Sequence, residues 1–371
     1  MSAKPPFRAD HVGSFLRPQP LLEARAQRDE GAITNDELRL IEDQHIKDVV
    51  RKQEEVGIKG VTDGEFRRLY FHVDFLEHLE GVEITYGDFF AYFQKDDGTE
   101  VGFRPPTMHV NSQIKHSYPI QGADFDFLAA QVTETPKVCI PAPSMLHFRG
   151  GRDAISLIAY PDLGDFFEDL TAAYRAEIAD LAERGCRYLQ LDDTNLAYLC
   201  DPEIRERTRA RGEDPDSLAH LYARLVNDAI RDKPEDMVVG IHLCRGNFKS
   251  AWVSQGGYEP VADILFNEMD VDAFFLEYDD ERSGDFAPLR LVPEHKQVIL
   301  GLLSSKKAEL EDVDDLQRRI EDAGQYIDLD QCGLSHQCGF SSTAHGNELT
   351  QADQWRKLEL NVAVARSVWG D

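Results

Sequence analysis

Cationic side chains are scarce in this chain: 40 Lys and Arg stand against 68 Asp and Glu among 371 residues, a formal net charge of −28 at pH 7. A surface of that sign repels polyphosphate, which excludes nucleic acid as a partner held by a general electrostatic field. Cysteine is scarce too. Six thiols, at positions 139, 186, 200, 244, 332 and 338, are too few and too scattered to staple a chain of this size, so they read as reduced thiols or metal ligands. No apolar run reaches the roughly 18 residues of a membrane span, and Met1 to Asp10 lacks the apolar core of a signal peptide. The expected location is the cytoplasm, with no membrane partner. Also lacking are a Pro/Gly/Ser-rich linker, a shift in composition along the chain, and a Gly-x-Gly-x-x-Gly turn after an early strand. The chain therefore reads as one domain over 1–371, and not as a doubly wound dinucleotide-binding sheet.

What is present is an alternation of short apolar runs with segments of helical period, the pattern of parallel strands joined by crossover helices. The runs are Ala9 to Val12, Ile58 to Thr62, Lys137 to Ile140, Arg187 to Leu191, Met237 to Ile241, Ala273 to Leu276, Val298 to Leu302 and Ile327 to Leu334. Between them, Phe166, Leu170, Tyr174, Ile178 and Leu181 share a helix face that Gly185 ends; Leu218, Leu221, Leu225 and Ile230 make a second stripe, and Leu310, Val313, Leu316 and Ile320 before Gly324 a third. About eight strand-helix units point to an α/β fold of the (β/α)₈ TIM-barrel type. The Gly- and aromatic-rich stretch over 81–119, with a turn at Asp97-Gly98, reads as a β-hairpin inserted into one of its loops.

The residues that end the runs are reactive types: Asp10, His11 and Ser14; Asp63 and Glu65; Asp192 and Asp193; His242 and Cys244; Glu277; His336 and Cys338. In a (β/α)₈ enzyme the active site is built at the carboxyl ends of the strands, so these positions are expected to converge. Strand side chains alternate, so His242 and Cys244 point the same way and can reach one metal. Imidazole with thiolate suits zinc. Two ligand sets compete: His242, Cys244, Glu277 and Cys338, or the same set with His336 replacing Glu277. The plainer reading of His336 is a loop histidine bonded to backbone. Cys332 is expected in the strand, and Cys139, Cys186 and Cys200 in the packing. Asp192 and Glu65 could hold a substrate ammonium, whereas for Asp63 and Asp193 a helix-capping role weighs equally.

These motifs resemble cobalamin-independent methionine synthase, in its C-terminal catalytic barrel and its single-barrel relatives, over nearly the whole chain. The resemblance rests on His11-Val12-Gly13-Ser14, Asp63-Gly64-Glu65, Arg104-Pro105-Pro106, Gln190-Leu191-Asp192-Asp193, His242-Leu243-Cys244, Glu277 and Cys338-Gly339. It implies Zn²⁺ on His242, Cys244, Glu277 and Cys338, an amino-acid thiol held by Ser14, Glu65 and Asp192, and Phe148 in place of a Trp that stacks on the pterin. The chain departs from the family in carrying Thr194 after Asp192-Asp193. It also has Leu303-Ser304-Ser305-Lys306 where the larger enzyme has a proton-donating His, so Ser304 and Lys306, with Asp192, make the expected catalytic set.

The implied activity is transfer of a methyl group to the zinc-activated thiol of homocysteine or a similar small thiol. The donor is left open among 5-methyltetrahydrofolate, a methylated sulfur compound and a methyl-corrinoid, and so is self-association into a homo-oligomer. Two alternatives stand beside it: a zinc-dependent transferase adding a thiol to an epoxide or other electrophile, and a non-catalytic zinc-binding barrel. Lys306 is also readable as a surface lysine at a helix start.

Overall fold

The apolar runs become strands because Val, Ile, Leu and Phe are buried on both faces of a sheet that helices cover. The computed structural model describes residues 4–87 and 91–370. Its strands are β1 (Gly60–Val61), β2 (Glu80–Thr85), β3 (Ala91–Gln94), β4 (Glu100–Phe103), β5 (Thr107–Lys115), β6 (Thr135–Pro136), β7 (Val138–Pro141), β8 (Tyr188–Asp193), β9 (Val238–Leu243), β10 (Ala273–Glu277), β11 (Gln297–Leu303) and β12 (Cys332–His336). Strands β7 to β12 lie side by side in chain order, all parallel. β1 pairs in parallel with β6, Gly60 opposite Thr135. The fold is thus α/β with a parallel sheet.

The first expected strand, Ala9 to Val12, is reduced to a single parallel bridge from Ala9 to Leu334. Its ladder stops because the amide of His11 turns to its neighbour's side chain, donating to Asp10 Oδ1 at 2.8 Å. Residues 9–16 and 60–65 are tied instead by Thr62 Oγ1 to Gly13 O (2.6 Å), Phe15 N to Gly64 O (3.1 Å) and the His11 ring to Gly60 O (2.7 Å). The last run is shorter than expected at its start, since 329–331 make a 3₁₀ turn before β12.

The helix Leu163–Glu183 buries all five residues of its predicted stripe, is capped by Asp162, and is followed by Gly185 at φ +99°. Each fully buried side chain of that kind contributes roughly 1.5–3 kcal/mol. In the helix Val313–Ala323, Leu316 and Ile320 are buried, but Val313 and Leu310 are more than two-fifths exposed, so the third stripe is half as long as the periodicity suggests. Among the described residues no helix is long and apolar enough to cross a membrane.

Inside the sheet Phe7, Tyr188, Phe275 and Ile299 form a separate apolar cluster. Against it stands a fully buried ion pair, Lys137 Nζ to Asp10 Oδ1 at 2.9 Å, with the ammonium 4.2 Å from the Phe275 ring centre. Asp10 also accepts from Tyr188 OH (2.6 Å), which accounts for this strand-end carboxylate as structural.

The insertion is richer than one hairpin. β2 pairs antiparallel with β5, and β3 with β4, the second pair closing through Asp97-Gly98, where Gly98 has φ +82°. Positions 88–90, within the stretch from Tyr86 to Tyr92, lie outside the described residues. The β3–β4 hairpin is fastened to the rest by hydrogen bonds in both directions between the backbones of Gln94 and Trp252 (2.7 and 2.8 Å) and by the ion pairs Lys95–Glu348 and Lys307–Asp96, both 2.6 Å.

Candidate functional site

Parallel register aligns the chemistry. Asp192 on β8 is the direct partner of His242 on β9, whose other neighbour is Phe275, two residues before Glu277 on β10. Cys244 follows β9 on the same face as His242, and its amide donates to Asp193 O at 2.7 Å. Cys338 comes in from the loop after β12. Side-chain ligand atoms of His242, Cys244, Glu277 and Cys338 all lie within 4.8 Å of one another, and all four residues are buried. The two sulfurs are 3.5 Å apart. His336 stands outside this group. It ends β12 rather than sitting in a loop, and its ring is 4.8 Å from that of Phe340. The expectation of a loop position for His336 is therefore corrected to a strand end, and it is Glu277 that groups with His242, Cys244 and Cys338.

The group fits a metal on its own chemistry. Both nitrogens of His242 and Oε2 of Glu277 are buried without a hydrogen-bond partner, a costly state unless something else satisfies them. Two thiolates sharing one tetrahedral zinc at ~2.3 Å would be ~3.8 Å apart, close to the observed spacing. The coupled thiols polarise each other: contact with Cys244 and the nearby His242 holds Cys338 well below the ordinary thiol range, while Cys244 is pushed well above it by Cys338 and by burial. Burial works against charging His242, but Cys338, Asp192 and Glu277 outweigh it and raise its pKa. Glu277 is oriented from behind, its Oε1 accepting the Arg245 amide at 2.8 Å and its own amide donating to Tyr258 OH at 2.9 Å.

The group lies at a cleft of about 1060 Å³ whose lining includes Ser14, Glu65, Phe148, Asp192, His242, Cys244 and Cys338. Glu65 sits at φ +59°, a left-handed conformation that costs of order 1 kcal/mol or more in a non-glycine residue. Hydrogen bonds hold it there: its amide donates to Asp63 Oδ1 (2.8 Å), and its carbonyl accepts from Arg17 Nη2 (2.6 Å). Burial pushes the Glu65 carboxyl up to about 7, with the Arg68 guanidinium, 2.5 Å away, pulling it back and Asp192 adding to the rise. Burial likewise raises Asp192, which accepts from Gln190 Nε2 at 2.7 Å. Ser14 Oγ accepts the Ser341 amide (3.2 Å), and a Cβ at Gly339 would fall 2.0 Å from that oxygen. Any larger residue there would push the Ser14 hydroxyl aside.

The remaining expectations divide. Asp193 caps the turn after β8, accepting from the Leu196 amide (2.8 Å) and Ser144 Oγ (2.5 Å), and Asp63 serves the turn at Glu65. Cys139 is buried as expected, but it packs beside Glu65 and Asp192. Ser304 and Lys306 do not line the cleft. The Ser304 amide donates to Glu311, and Lys306 is buried rather than on the surface, its Nζ 3.9 Å from Glu277 Oε2, behind the ligand group. Phe148 does face the cleft, with the Tyr198 and Tyr222 rings edge-on to it at 6.1 Å.

Sequence reasoning missed the outer lining: Phe93 and Phe103 from the insertion, Phe248, Trp252, Tyr198, His72 and Arg149. Phe103 stacks on Phe248 at 4.3 Å. The aromatic richness of the insertion was the available clue. Nothing in the sequence pairs His72 with Arg149.

Comparison with known proteins agrees with this architecture. A family profile described as "Cobalamin-independent synthase, Catalytic domain" matches residues 7–102 and 155–366. The chain is 45% identical over 371 residues to the uncharacterized protein YxjG of Bacillus subtilis (strain 168), covering 99% of this chain and 96% of that one. It is 24% identical over 335 residues to a methionine synthase of Pyrococcus abyssi, covering 88% of this chain and 84% of that one. Among solved structures, a candidate vitamin-B12-independent methionine synthase of Listeria monocytogenes superposes with a TM-score of 0.80 at 37% identity, covering all of both chains.

Proposed function

The chain belongs to the cobalamin-independent synthase catalytic-domain family, and on that premise we propose that it is a zinc-dependent S-methyltransferase acting on homocysteine or a similar amino-acid thiol. The observation that carries this reading is the grouping of His242, Cys244, Glu277 and Cys338, three of which line one cleft with Glu65 and Asp192. In the proposed fold the ties between residues 9–16 and 60–65 close the sheet into a single-domain (β/α)₈ barrel spanning 1–371, located in the cytoplasm.

His242, Cys244, Glu277 and Cys338 would hold Zn²⁺, which when bound supplies Lewis acidity that strips the proton from a ligated thiol at neutral pH. Glu65 and Asp192 then bind and orient the acceptor's ammonium, and the two carboxyls share the task that burial makes hard for either alone. Ser14, fixed against Gly339, lines the same acceptor pocket. Phe148 offers a ring on which the donor packs, and the aromatic residues of the insertion exclude water from the transfer. Lys306 stands where a charge could be supplied from behind Glu277; Ser304, whose hydroxyl accepts the Lys306 amide at 3.3 Å, and Asp192 complete the proposed catalytic set. The methyl donor is a pterin, a methylated sulfur compound or a methyl-corrinoid.

The test is elemental analysis of tag-free protein, followed by titration of homocysteine into the cobalt-substituted form. About one zinc per chain and a thiolate charge-transfer band that saturates with homocysteine are expected. Metal-free protein, or a band indifferent to homocysteine, would sink the proposal.

A further inference from the structure

In a chain with this excess of carboxylates a guanidinium in a cleft has many possible ion-pair partners. Arg149, next to Phe148, lines the cleft without one among the described residues. Its side chain donates from Nη1 to Nε2 of His72 at 3.1 Å, and its charged-group neighbours are Tyr198 and Cys244, neither of them a carboxylate. Guanidinium nitrogens only donate, so Nε2 of His72 is the acceptor and the ring proton sits on Nδ1. His72 is 4% exposed and also lines the cleft, and its Nδ1 has no hydrogen-bond partner among the described residues. The ring is neutral, because burial and then the Arg149 charge hold its pKa well below the usual value.

Arg149 is half-buried in the cleft wall, and a guanidinium whose side-chain hydrogen bond goes to a neutral ring keeps its other N–H groups for an anionic acceptor from outside the chain. The Nδ1–H of His72 lies on the opposite side of the ring from Arg149, so His72 positions the guanidinium and does not share its ligand. The pair is also held in place. Arg211 Nη1 donates to Phe148 O at 3.0 Å, while Arg211 is itself paired with Glu213 at 2.9 Å. A planar anion with two oxygens suits the guanidinium best, since its fork engages both. Charge partners would then flank the sulfur ligands, Asp192 beside His242 for a cation and Arg149 beside Cys244 for an anion.

We propose that Arg149, positioned by His72, forms a carboxylate-binding subsite in the cleft, which positions one of the two substrates of the transfer. The inference rests on the reading of the cleft as the meeting place of an amino-acid thiol and a methyl donor. The carboxylate belongs to one or the other, and the test separates them.

Calorimetric titration of 3-(methylthio)propanoate and of its uncharged amide into the purified protein is compared for wild type, Arg149→Met, Arg149→Lys and His72→Phe, and homocysteine is titrated into the cobalt-substituted forms. If the donor carries the carboxylate, wild type binds the acid about tenfold tighter than the amide, Arg149→Met abolishes that preference, Arg149→Lys restores part of it, and homocysteine affinity stays within about twofold. If the acceptor carries it, the loss of about tenfold appears in the homocysteine titration of Arg149→Met instead. Arg149→Met or His72→Phe protein that keeps wild-type melting temperature and metal content, yet binds acid, amide and homocysteine as wild type does, would overturn the subsite. Failure of the zinc reading looks different: wild type itself then lacks the metal and the band, while the acid-against-amide comparison remains readable.

Discussion

At the scale of single residues, the site depends on groups that the backbone leaves no freedom to replace. Gly339 is within 2.0 Å of Ser14 Oγ at its virtual Cβ, and Glu65 holds its carboxyl in the cleft from a left-handed backbone. Cys338 is the proposed ligand that arrives on a loop, so its removal tests the group directly. A Cys338→Ser variant is expected to lose most of its zinc, read by elemental analysis, and with it methyl transfer, while the helical circular dichroism stays at the wild-type level. Wild-type zinc content in that variant would remove Cys338 from the ligand set. The candidate ligands were legible because His242 and Cys244 sit two apart at the end of an apolar run, and because Glu277 ends another. The grouping of Glu277 rather than His336 with the sulfurs was not legible from the residues, for it turns on which of two strand ends, separated by β11, faces the thiols. Lys306 was read as catalytic or superficial, and its position behind Glu277 comes from the loop after β11 folding inward.

Among elements, the parallel sheet brings the reactive strand ends to one cleft, and its order was readable from the alternation of apolar runs with helical stripes. Where the pattern failed, side chains had replaced backbone partners: Asp10 takes the amide of His11 and cuts the first strand short. That same carboxylate anchors Lys137 across 127 residues of chain, with both side chains fully buried. Removing one partner strands a charge. Lys137→Met is therefore expected to cost about 3–5 kcal/mol in urea unfolding, and the double variant Asp10→Asn, Lys137→Met to recover a large part of that. Equal losses in the single and double variants would count against the pair as a coupled unit. The four-stranded insertion was only partly legible, because Asp97-Gly98 announces the inner hairpin whereas the pairing of β2 with β5 spans more than twenty residues without a local signature.

For the molecule as a whole, pH acts on stability through buried histidines as well as through the surface charge. Burial, aided by Lys137, lowers the His11 pKa to about 4. Between pH 6.5 and 4 the unfolded chain takes up a proton at His11 that the folded chain refuses, so stability present at neutral pH is lost as the pH falls. The contribution at pH 4.5 is about 2–3 kcal/mol. It is read as the difference in unfolding free energy between wild type and His11→Gln, which should change by that amount from pH 7 to 4.5; a difference constant over the range would contradict it. Ionic strength acts elsewhere. The β3–β4 hairpin that lines the cleft is fastened by two lysine ion pairs in which three of the four side chains, Glu348, Asp96 and Lys307, are about half exposed. Such pairs weaken as salt shortens the screening length from about 10 Å at 0.1 M to about 3 Å at 1 M, while the backbone bonds between Gln94 and Trp252 do not. Amide hydrogen exchange within 91–103 is expected to quicken with salt while that of β8 and β9 stays unchanged. The traffic of ligands into the cleft would then be throttled by the ionic composition of the surrounding water, with the hairpin working as a salt-tuned shutter.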